Sequence, residues 1–76
     1  MYYLKNTEMG EPRAIYKAKG ADRFYRGTFS GMNKKYWGMK LYTCKSLRRI
    51  KAIREHLHSY SKEQFDVYDE NGKVEI

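Results

Sequence analysis

The chain has 76 residues, a formal net charge of +7 and an apolar content of 41%. Its length limits it to one small domain, residues 1–76, with no room for a second core. Its apolar residues are too frequent and too regularly spaced for a disordered chain. No stretch approaches the roughly 20 apolar residues of a membrane span. One cysteine cannot form an internal disulfide, and the amino terminus lacks the apolar run of a signal peptide. We therefore expect a folded cytoplasmic protein.

The basic residues are concentrated in the middle of the chain. Residues 13–54 carry a net charge of +12, with Asp22 as their only acidic residue, whereas residues 55–76 carry −4. Crowding charge of one sign costs folding stability, so this distribution favours a negatively charged partner. A basic surface that only keeps the protein soluble is the alternative. The acidic residues from Glu63 onwards are interpreted as a solvated hairpin.

The first part of the chain contains short strand-like segments separated by turn residues. Residues 1–5 are the first candidate strand, and Pro12 marks a loop after it. Two further candidate strands, residues 14–19 and 23–29, flank a turn at residues 20–22, which predicts a β-hairpin. Neither face of the second of these strands is purely apolar, which is typical of a sheet with one solvent-facing side.

Residues 35–44 are the clearest strand prediction in the chain. Trp37, Met39 and Leu41 alternate on one face, which we expect to lie in the core. Gly38 interrupts the other face and indicates a bulge or a close backbone approach. That other face, which we expect to be solvent-facing, carries Tyr36, Lys40 and Tyr42.

A single helix is predicted at about residues 46–59. Ser46 is a suitable N-cap, because its hydroxyl can accept a hydrogen bond from an early helical N–H group. We expect the apolar stripe of the helix to pack on the core face of the strand before it. The stripe consists of Leu47, Ile50, Ile53, Leu57 and Tyr60.

A hairpin is predicted after the helix, in residues 65–76. The Asn-Gly pair at positions 71–72 is the strongest two-residue hairpin signal, and a tip at these residues pairs Val67 with Ile76. The element order is then β-β-β-α-β plus a C-terminal hairpin, with the first candidate strand preceding it. We therefore predict an α+β fold, a small antiparallel sheet with one helix packed on one face.

The start of the helix is strongly basic. Arg48, Arg49 and Lys51 lie in its first two turns and Arg54 lies just beyond, although the helix dipole disfavours a positive charge there by up to about 0.3–1 kcal/mol. This placement indicates a surface that binds an anion. The alternative is that these long side chains only extend over the core edge into solvent.

A second basic and aromatic group lies on the preceding strand. Lysines neutralise phosphates, and exposed rings stack on unpaired bases at about 1–3 kcal/mol per base. Arg23 and Tyr25 of the first hairpin are predicted to extend this surface. The candidate residues on the strand and just before it are Lys34, Lys35, Tyr36, Lys40 and Tyr42.

The sequence shows no recognisable set of catalytic residues or metal ligands. His56 and His58 point to different sides of the helix, so they cannot share a metal as residues four apart do. Cys44 has basic neighbours in the sequence, but an unreactive thiol is the simpler interpretation. We expect no enzyme activity, no cofactor and no metal.

The predicted order of elements is three strands and then a helix that begins after Thr43-Cys44-Lys45-Ser46. This order is similar to that of the small DNA-binding modules of phage-type integrases. The resemblance covers the topology of residues 14–58 and no diagnostic motif. Because topology alone does not determine function, the charge pattern carries our prediction of a non-enzymatic nucleic-acid-binding protein. DNA and RNA, single and double strand, remain open.

A protein-binding regulator or inhibitor is the alternative function. The short, basic, single-domain chain is similar to the small proteins of phages and mobile elements. Exposed Tyr, Trp, Met and Arg residues are enriched in protein interfaces as well as in nucleic-acid sites. The target would then present an acidic surface, as the channel rim of a nucleic-acid-processing enzyme does.

Overall fold

The computed structural model describes residues 1–8, 10–18, 20, 22–29, 35–36, 39–59 and 63–75, with residues 35 and 36 described by their backbone alone. Within these residues one helix packs on one antiparallel sheet, which confirms the predicted α+β fold. The strands are β1 (Tyr3–Asn6), β2 (Arg13–Lys17), β3 (Tyr25–Thr28), β4 (Lys35–Tyr36), β5 (Met39–Leu41), β6 (Asp66–Asp69) and β7 (Gly72–Lys73). The helix, α1, spans Leu47–His58.

Strand β2 is the centre of the sheet. Ala14 lies between strands β1 and β3, whereas Tyr16 lies between β5 and β3. One edge of β2 is therefore shared by β1 and β5, and the other edge belongs to β3. Beyond β1 the sheet continues through β6 to β7, and beyond β5 it ends at β4.

The sheet separates two apolar clusters, because successive residues of a strand point to opposite faces. The helix-side cluster is buried to 2% exposure or less and contains Leu4, Ile15, Ile50, Leu57, Phe65 and Val67. The opposite cluster contains Ala14, Tyr16 and Leu41, with Tyr3, Phe29 and Met39 packed against it.

Helix α1 lies where it is predicted, and its N-cap is confirmed. The hydroxyl of Ser46 accepts a hydrogen bond from the N–H of Arg49 at 3.2 Å. Ile50 and Leu57 of the apolar stripe are buried, and Leu47 and Ile53 pack beside them. The last predicted member of the stripe, Tyr60, is outside the described part of the chain.

The helix does not pack on the predicted face of the preceding strand. Met39 and Leu41 belong to the opposite cluster, whereas Tyr42, predicted to face solvent, packs with the helix-side cluster. Alternation along one strand separates its two faces but does not say which one the helix covers. Strands β1 and β6 decide that, because both contact α1 and each contributes a buried residue to the helix-side cluster. Trp37, the remaining member of the predicted core face, lies outside the described residues.

The described part of residues 35–44 contains two strands, β4 and β5, where one continuous strand is predicted. Lys35 lies opposite Lys40 and Tyr36 lies opposite Met39. The chain therefore reverses direction between Tyr36 and Met39. A glycine at position 38 is the one feature of the sequence that favours a turn here.

The C-terminal hairpin is present, but its turn lies one residue earlier than predicted. Asp69 pairs with Gly72, and the carboxylate of Asp69 accepts a hydrogen bond from the N–H of Asn71 at 2.8 Å. Gly72 follows with a φ of 117°, which only glycine adopts without strain. Val67 consequently accepts a backbone hydrogen bond from Val74 at 2.8 Å, two residues before its predicted partner. The side-chain turn at Asp69 explains the shift.

Burial of the helix predicts a graded loss of stability among three helix variants. Ile50→Ala is expected to cost about 2–5 kcal/mol of unfolding free energy, because the side chain is 0% exposed. Ile53→Ala is expected to cost less, because Ile53 is only partly buried. Lys51→Ala, at an exposed position, is expected to stay within about 0.5 kcal/mol. Urea denaturation followed by circular dichroism measures all three, and equal losses at Ile50 and Ile53 would contradict this placement.

Candidate nucleic-acid interface

Three lysines occupy adjacent positions on three neighbouring strands. Lys40 of β5 lies opposite Lys17 of β2 on one side and opposite Lys35 of β4 on the other. We call these positions the lysine row. Like charges directly opposite each other destabilise a sheet. The register brings Lys17 and Lys40 to facing positions and places the backbone of Lys35 beside Lys40.

Two aromatic rings support Lys17. Its Nζ lies 5.5 Å from the ring centroid of Phe24 and 5.9 Å from that of Tyr42, which is cation–π distance. The two rings meet edge to face with their centroids 5.0 Å apart. Tyr42 is thus engaged in internal packing, and its ring is less open to stacking than the sequence suggests.

Arg49 connects the start of the helix to the lysine row. Burial raises the pKa of the Tyr42 hydroxyl above its ordinary value of 10.0, while the guanidinium of Arg49 beside it acts in the opposite direction. Lys17, Lys40 and Tyr42 also line a common shallow depression of about 270 Å³. The basic surface therefore consists of the lysine row together with Arg49.

The four basic residues of the helix do not form one patch. Successive residues of an α-helix are rotated by about 100°, so Arg48 and Arg49 point in different directions. Arg48, Arg49 and Lys51 are all exposed, and Arg49 is the one that lies beside Tyr42. Arg54 lies on the flank away from Arg49, so only Arg49 is placed at the lysine row.

Arg54 and His58 hold the segment that enters β6. The Nε of Arg54 donates a hydrogen bond to the carbonyl of Phe65 at 2.6 Å, and the N–H of Phe65 donates to Nε2 of His58 at 2.9 Å. Both backbone groups of Phe65 are satisfied by side chains one helical turn apart. We call this arrangement the Phe65 tie. Arg54 thus makes an internal contact that sequence reasoning missed, because the partner is a backbone group distant in sequence.

A larger cleft of about 610 Å³ opens between β3 and the C-terminal half of α1. We call it the arginine cleft, and its lining includes Arg13, Arg23, Phe24, Tyr25, Arg26 and His56. The guanidinium of Arg23 lies 5.6 Å from the ring centroid of Tyr25, a residue that is 40% exposed. Phe24 contacts Lys17 and also lines this cleft, so the arginine cleft adjoins the basic surface.

A nearly buried carboxylate links the arginines of the cleft to the rest of the protein. The side chain of Glu63 is 6% exposed and lies 3.5 Å from Nη1 of Arg13 and 3.4 Å from Nη1 of Arg26. It also accepts a hydrogen bond from the amide of Asn6, which is buried, at 3.1 Å. The interpretation of Glu63 as part of a solvated acidic hairpin is wrong. Its isolated position in the sequence gave no indication of three partners from three strands.

The remaining predicted site residues are only partly placed. Lys34 lies outside the described residues, and for Lys35 and Tyr36 the backbone position alone is described. Arg23 is among the lining residues of the arginine cleft, and its part in a basic surface stays a prediction. Cys44 packs beside Tyr42 on the helix side, and its thiol lies 3.6 Å from the carbonyl oxygen of Ser46.

Comparison with protein-family models, with curated proteins and with solved protein structures finds no significant match. In the part of the chain that the structure describes, no helix has the length and apolar character needed to cross a membrane. Those same residues contain no group of three or more His, Cys, Asp and Glu side chains placed to hold a metal.

The Phe65 tie predicts that the free energy of unfolding decreases on acidification, because the hydrogen bond to Phe65 requires a neutral His58. Burial lowers the pKa of His58 below its ordinary value of 6.5, and the charge of Arg54 acts in the same direction. Below about pH 6.5 the unfolded chain takes up a proton that native His58 resists, because Nε2 must stay free to accept the Phe65 N–H. The contribution of His58 to stability is therefore present above this pH and decreases as the pH falls through the lowered pKa.

His58→Gln provides the matched control, because its amide oxygen can accept the same hydrogen bond and does not titrate. Urea midpoints at about pH 7.5 and about pH 5.5 bracket the ordinary pKa of histidine. We expect the wild-type protein to lose more stability than His58→Gln on acidification, since all other titrating groups are common to both. Equal losses in the two proteins would rule out a neutral, hydrogen-bonded His58.

Proposed function

We propose that the protein binds nucleic acid through its phosphate backbone, using the basic surface of Lys17, Lys35, Lys40 and Arg49. The lysine row is the observation that carries this proposal. Three positive residues in direct register reduce the stability of the sheet when the protein is free. A polyanion bound along the row would remove that repulsion.

The spacing of the row suits a phosphate backbone. Neighbouring strands lie about 4.8 Å apart, and phosphates recur at about 3.4 Å of rise along one nucleic-acid strand. The two spacings are of the same order, and lysine side chains are long enough to accommodate the difference. Exposed Arg48 and Lys51 provide further positive charge at the start of the helix. We propose binding without catalysis.

The support beneath the row favours binding over simple solvation. Lys17 is positioned by Phe24 and Tyr42, so less side-chain entropy remains to be lost when a phosphate binds. Arg49 adds a guanidinium, which can donate two parallel hydrogen bonds to one phosphate. These contacts specify position and not base sequence, so we expect weak sequence preference.

Salt dependence tests the proposal. Engaging about four phosphates predicts that log affinity falls with log salt with a slope near −3.6 on a duplex or near −2.8 on a single strand. Lys40→Gln is expected to weaken binding to all sequences and to flatten the slope by about one unit. Fluorescence anisotropy with labelled oligonucleotides measures both quantities, and circular dichroism checks the fold.

Lys73→Gln is the charge-matched control. Lys73 is exposed like Lys40 but lies on β7, at the opposite end of the strand order from β5. Lys73→Gln is expected to leave the slope of log affinity against log salt unchanged. If Lys40→Gln and Lys73→Gln change this slope equally, the nucleic acid is attracted by the overall positive charge and does not bind at a defined site. If the folded protein ignores every oligonucleotide even at low salt, nucleic-acid binding is wrong. An acidic protein surface would then be the partner to seek.

A further inference from the structure

The lysine row has a closed end at Lys17. Phe24 directly precedes β3, the strand on the far side of β2 from β5, and its ring lies 5.5 Å from the Nζ of Lys17. The rings of Phe24 and Tyr42 meet edge to face, and both pack against the helix-side cluster. The row therefore stops where the core covered by α1 begins. A nucleic-acid strand that follows the row from β4 reaches its end at Lys17.

Positive charge is concentrated at this end of the row. Lys17 and Lys40 occupy facing positions, and facing side chains start only about 4.5–5.5 Å apart, so both lysines can reach one small anion. The guanidinium of Arg49 lies beside the hydroxyl of Tyr42, whose ring lies 5.9 Å from the Nζ of Lys17. Among the described residues, no carboxylate forms an ion pair with any of these three basic side chains.

The charge of this group selects the kind of phosphate. An internal phosphodiester carries one negative charge, whereas a terminal phosphate carries about 1.5 to 2 at neutral pH and offers three acceptor oxygens. Two facing lysines directed at one phosphodiester would leave a positive charge unmatched, but a terminal phosphate balances both. Arg49 can add two parallel hydrogen bonds to the same group, the geometry that arginine forms with phosphates.

We propose that Lys17, Lys40 and Arg49 bind the terminal phosphate of a nucleic-acid strand whose next phosphates lie along the row towards β4. This inference rests on the proposed function, since the strand must first bind the basic surface. A free nucleotide carries the same phosphate monoester but lacks the following phosphates. The protein then prefers strand ends that carry a phosphate over ends that carry a hydroxyl, and over a free nucleotide.

The chemistry of the strand end tests this preference. The probes are three oligothymidylates of equal length, one with a 5′-phosphate, one with a 3′-phosphate and one with hydroxyls at both ends. An internal fluorescent label leaves both ends accessible. We expect a phosphorylated probe to bind about tenfold more tightly than the hydroxyl-ended probe, which is the contribution of one hydrogen bond to a charged group. Equal affinity of all three probes overturns the inference.

Lys17→Gln tests whether the preference arises at the closed end of the row. It is expected to remove most of the preference for the phosphorylated probe. Lys17→Arg keeps the charge and the contact with the rings, and should keep the preference. Lys73→Gln, on β7, is the control for overall charge and should also keep it. If Lys17→Gln and Lys73→Gln reduce the preference equally, the site is wrong.

Lys40→Gln provides the same test at an exposed position, where a substitution leaves the fold intact. Circular dichroism checks the fold of each variant. Should Lys17→Gln prove unfolded, loss of the preference in folded Lys40→Gln supports the site, and an undiminished preference overturns it.

Thymidine monophosphate distinguishes a strand end from a free nucleotide. We expect it to displace the phosphorylated probe only at concentrations far above those at which that probe itself binds. Equal affinities of the nucleotide and the probe would overturn the assignment to a strand end. If the hydroxyl-ended probe binds and phosphorylation changes nothing, the proposed function stands and this inference is wrong. If no oligonucleotide binds at low salt, the proposed function itself has failed.

Discussion

Strand β2 is hydrogen-bonded along both edges and packed on both faces, and the rest of the structure is arranged around it. Ala14, Ile15 and Tyr16 are at most 1% exposed, so their backbone groups depend on β1, β3 and β5 for partners. The phenol of Tyr16 is satisfied as well, by donating to the carbonyl of Thr28 at 2.8 Å. The ends of the same strand reach the candidate sites, Arg13 in the arginine cleft and Lys17 in the lysine row. Disrupting β2 would therefore remove both sites together with the core.

The positively charged residues of the arginine cleft and of the lysine row have different partners. In the arginine cleft, Glu63 partly neutralises Arg13 and Arg26 and fixes their positions. A buried carboxylate of this kind is weak evidence for stability, because its desolvation offsets much of the attraction to its partners. In the lysine row, no carboxylate is described between the facing positions, and only rings support Lys17. The arginines of the cleft are therefore held in place by a carboxylate, whereas Lys17 is held by aromatic rings.

Much of the secondary structure was predictable because it depends on local signals. The apolar stripe located α1, Ser46 located its beginning, and the Asn-Gly pair located the last hairpin to within one residue. The reversal between Tyr36 and Met39 was missed, because alternating residues with one glycine resemble a continuous strand. The covered face of the sheet was also assigned wrongly, since strands distant in sequence determine it.

The candidate sites were less predictable than the fold. A high content of basic residues predicts a positively charged surface. It does not predict which lysines lie opposite one another, because that depends on the register of the strands. Arg54 and Glu63 have partners 11 residues away and further, at Phe65, Arg26 and Arg13. Their roles follow from the closed fold, so spacing along the chain could not reveal them.

The pairing of β1 with β6 has a consequence for how the chain folds. Tyr3 lies opposite Tyr68, so this ladder joins strands from the two ends of the described chain and closes a loop containing everything between them. Such non-local pairings slow folding, because the entropy of loop closure is lost before the contacts form. The β2–β3 hairpin and α1 can form early from local contacts. Leu4 and Val67 join the helix-side cluster only when this ladder closes, so completion of the cluster depends on a contact between residues distant in sequence.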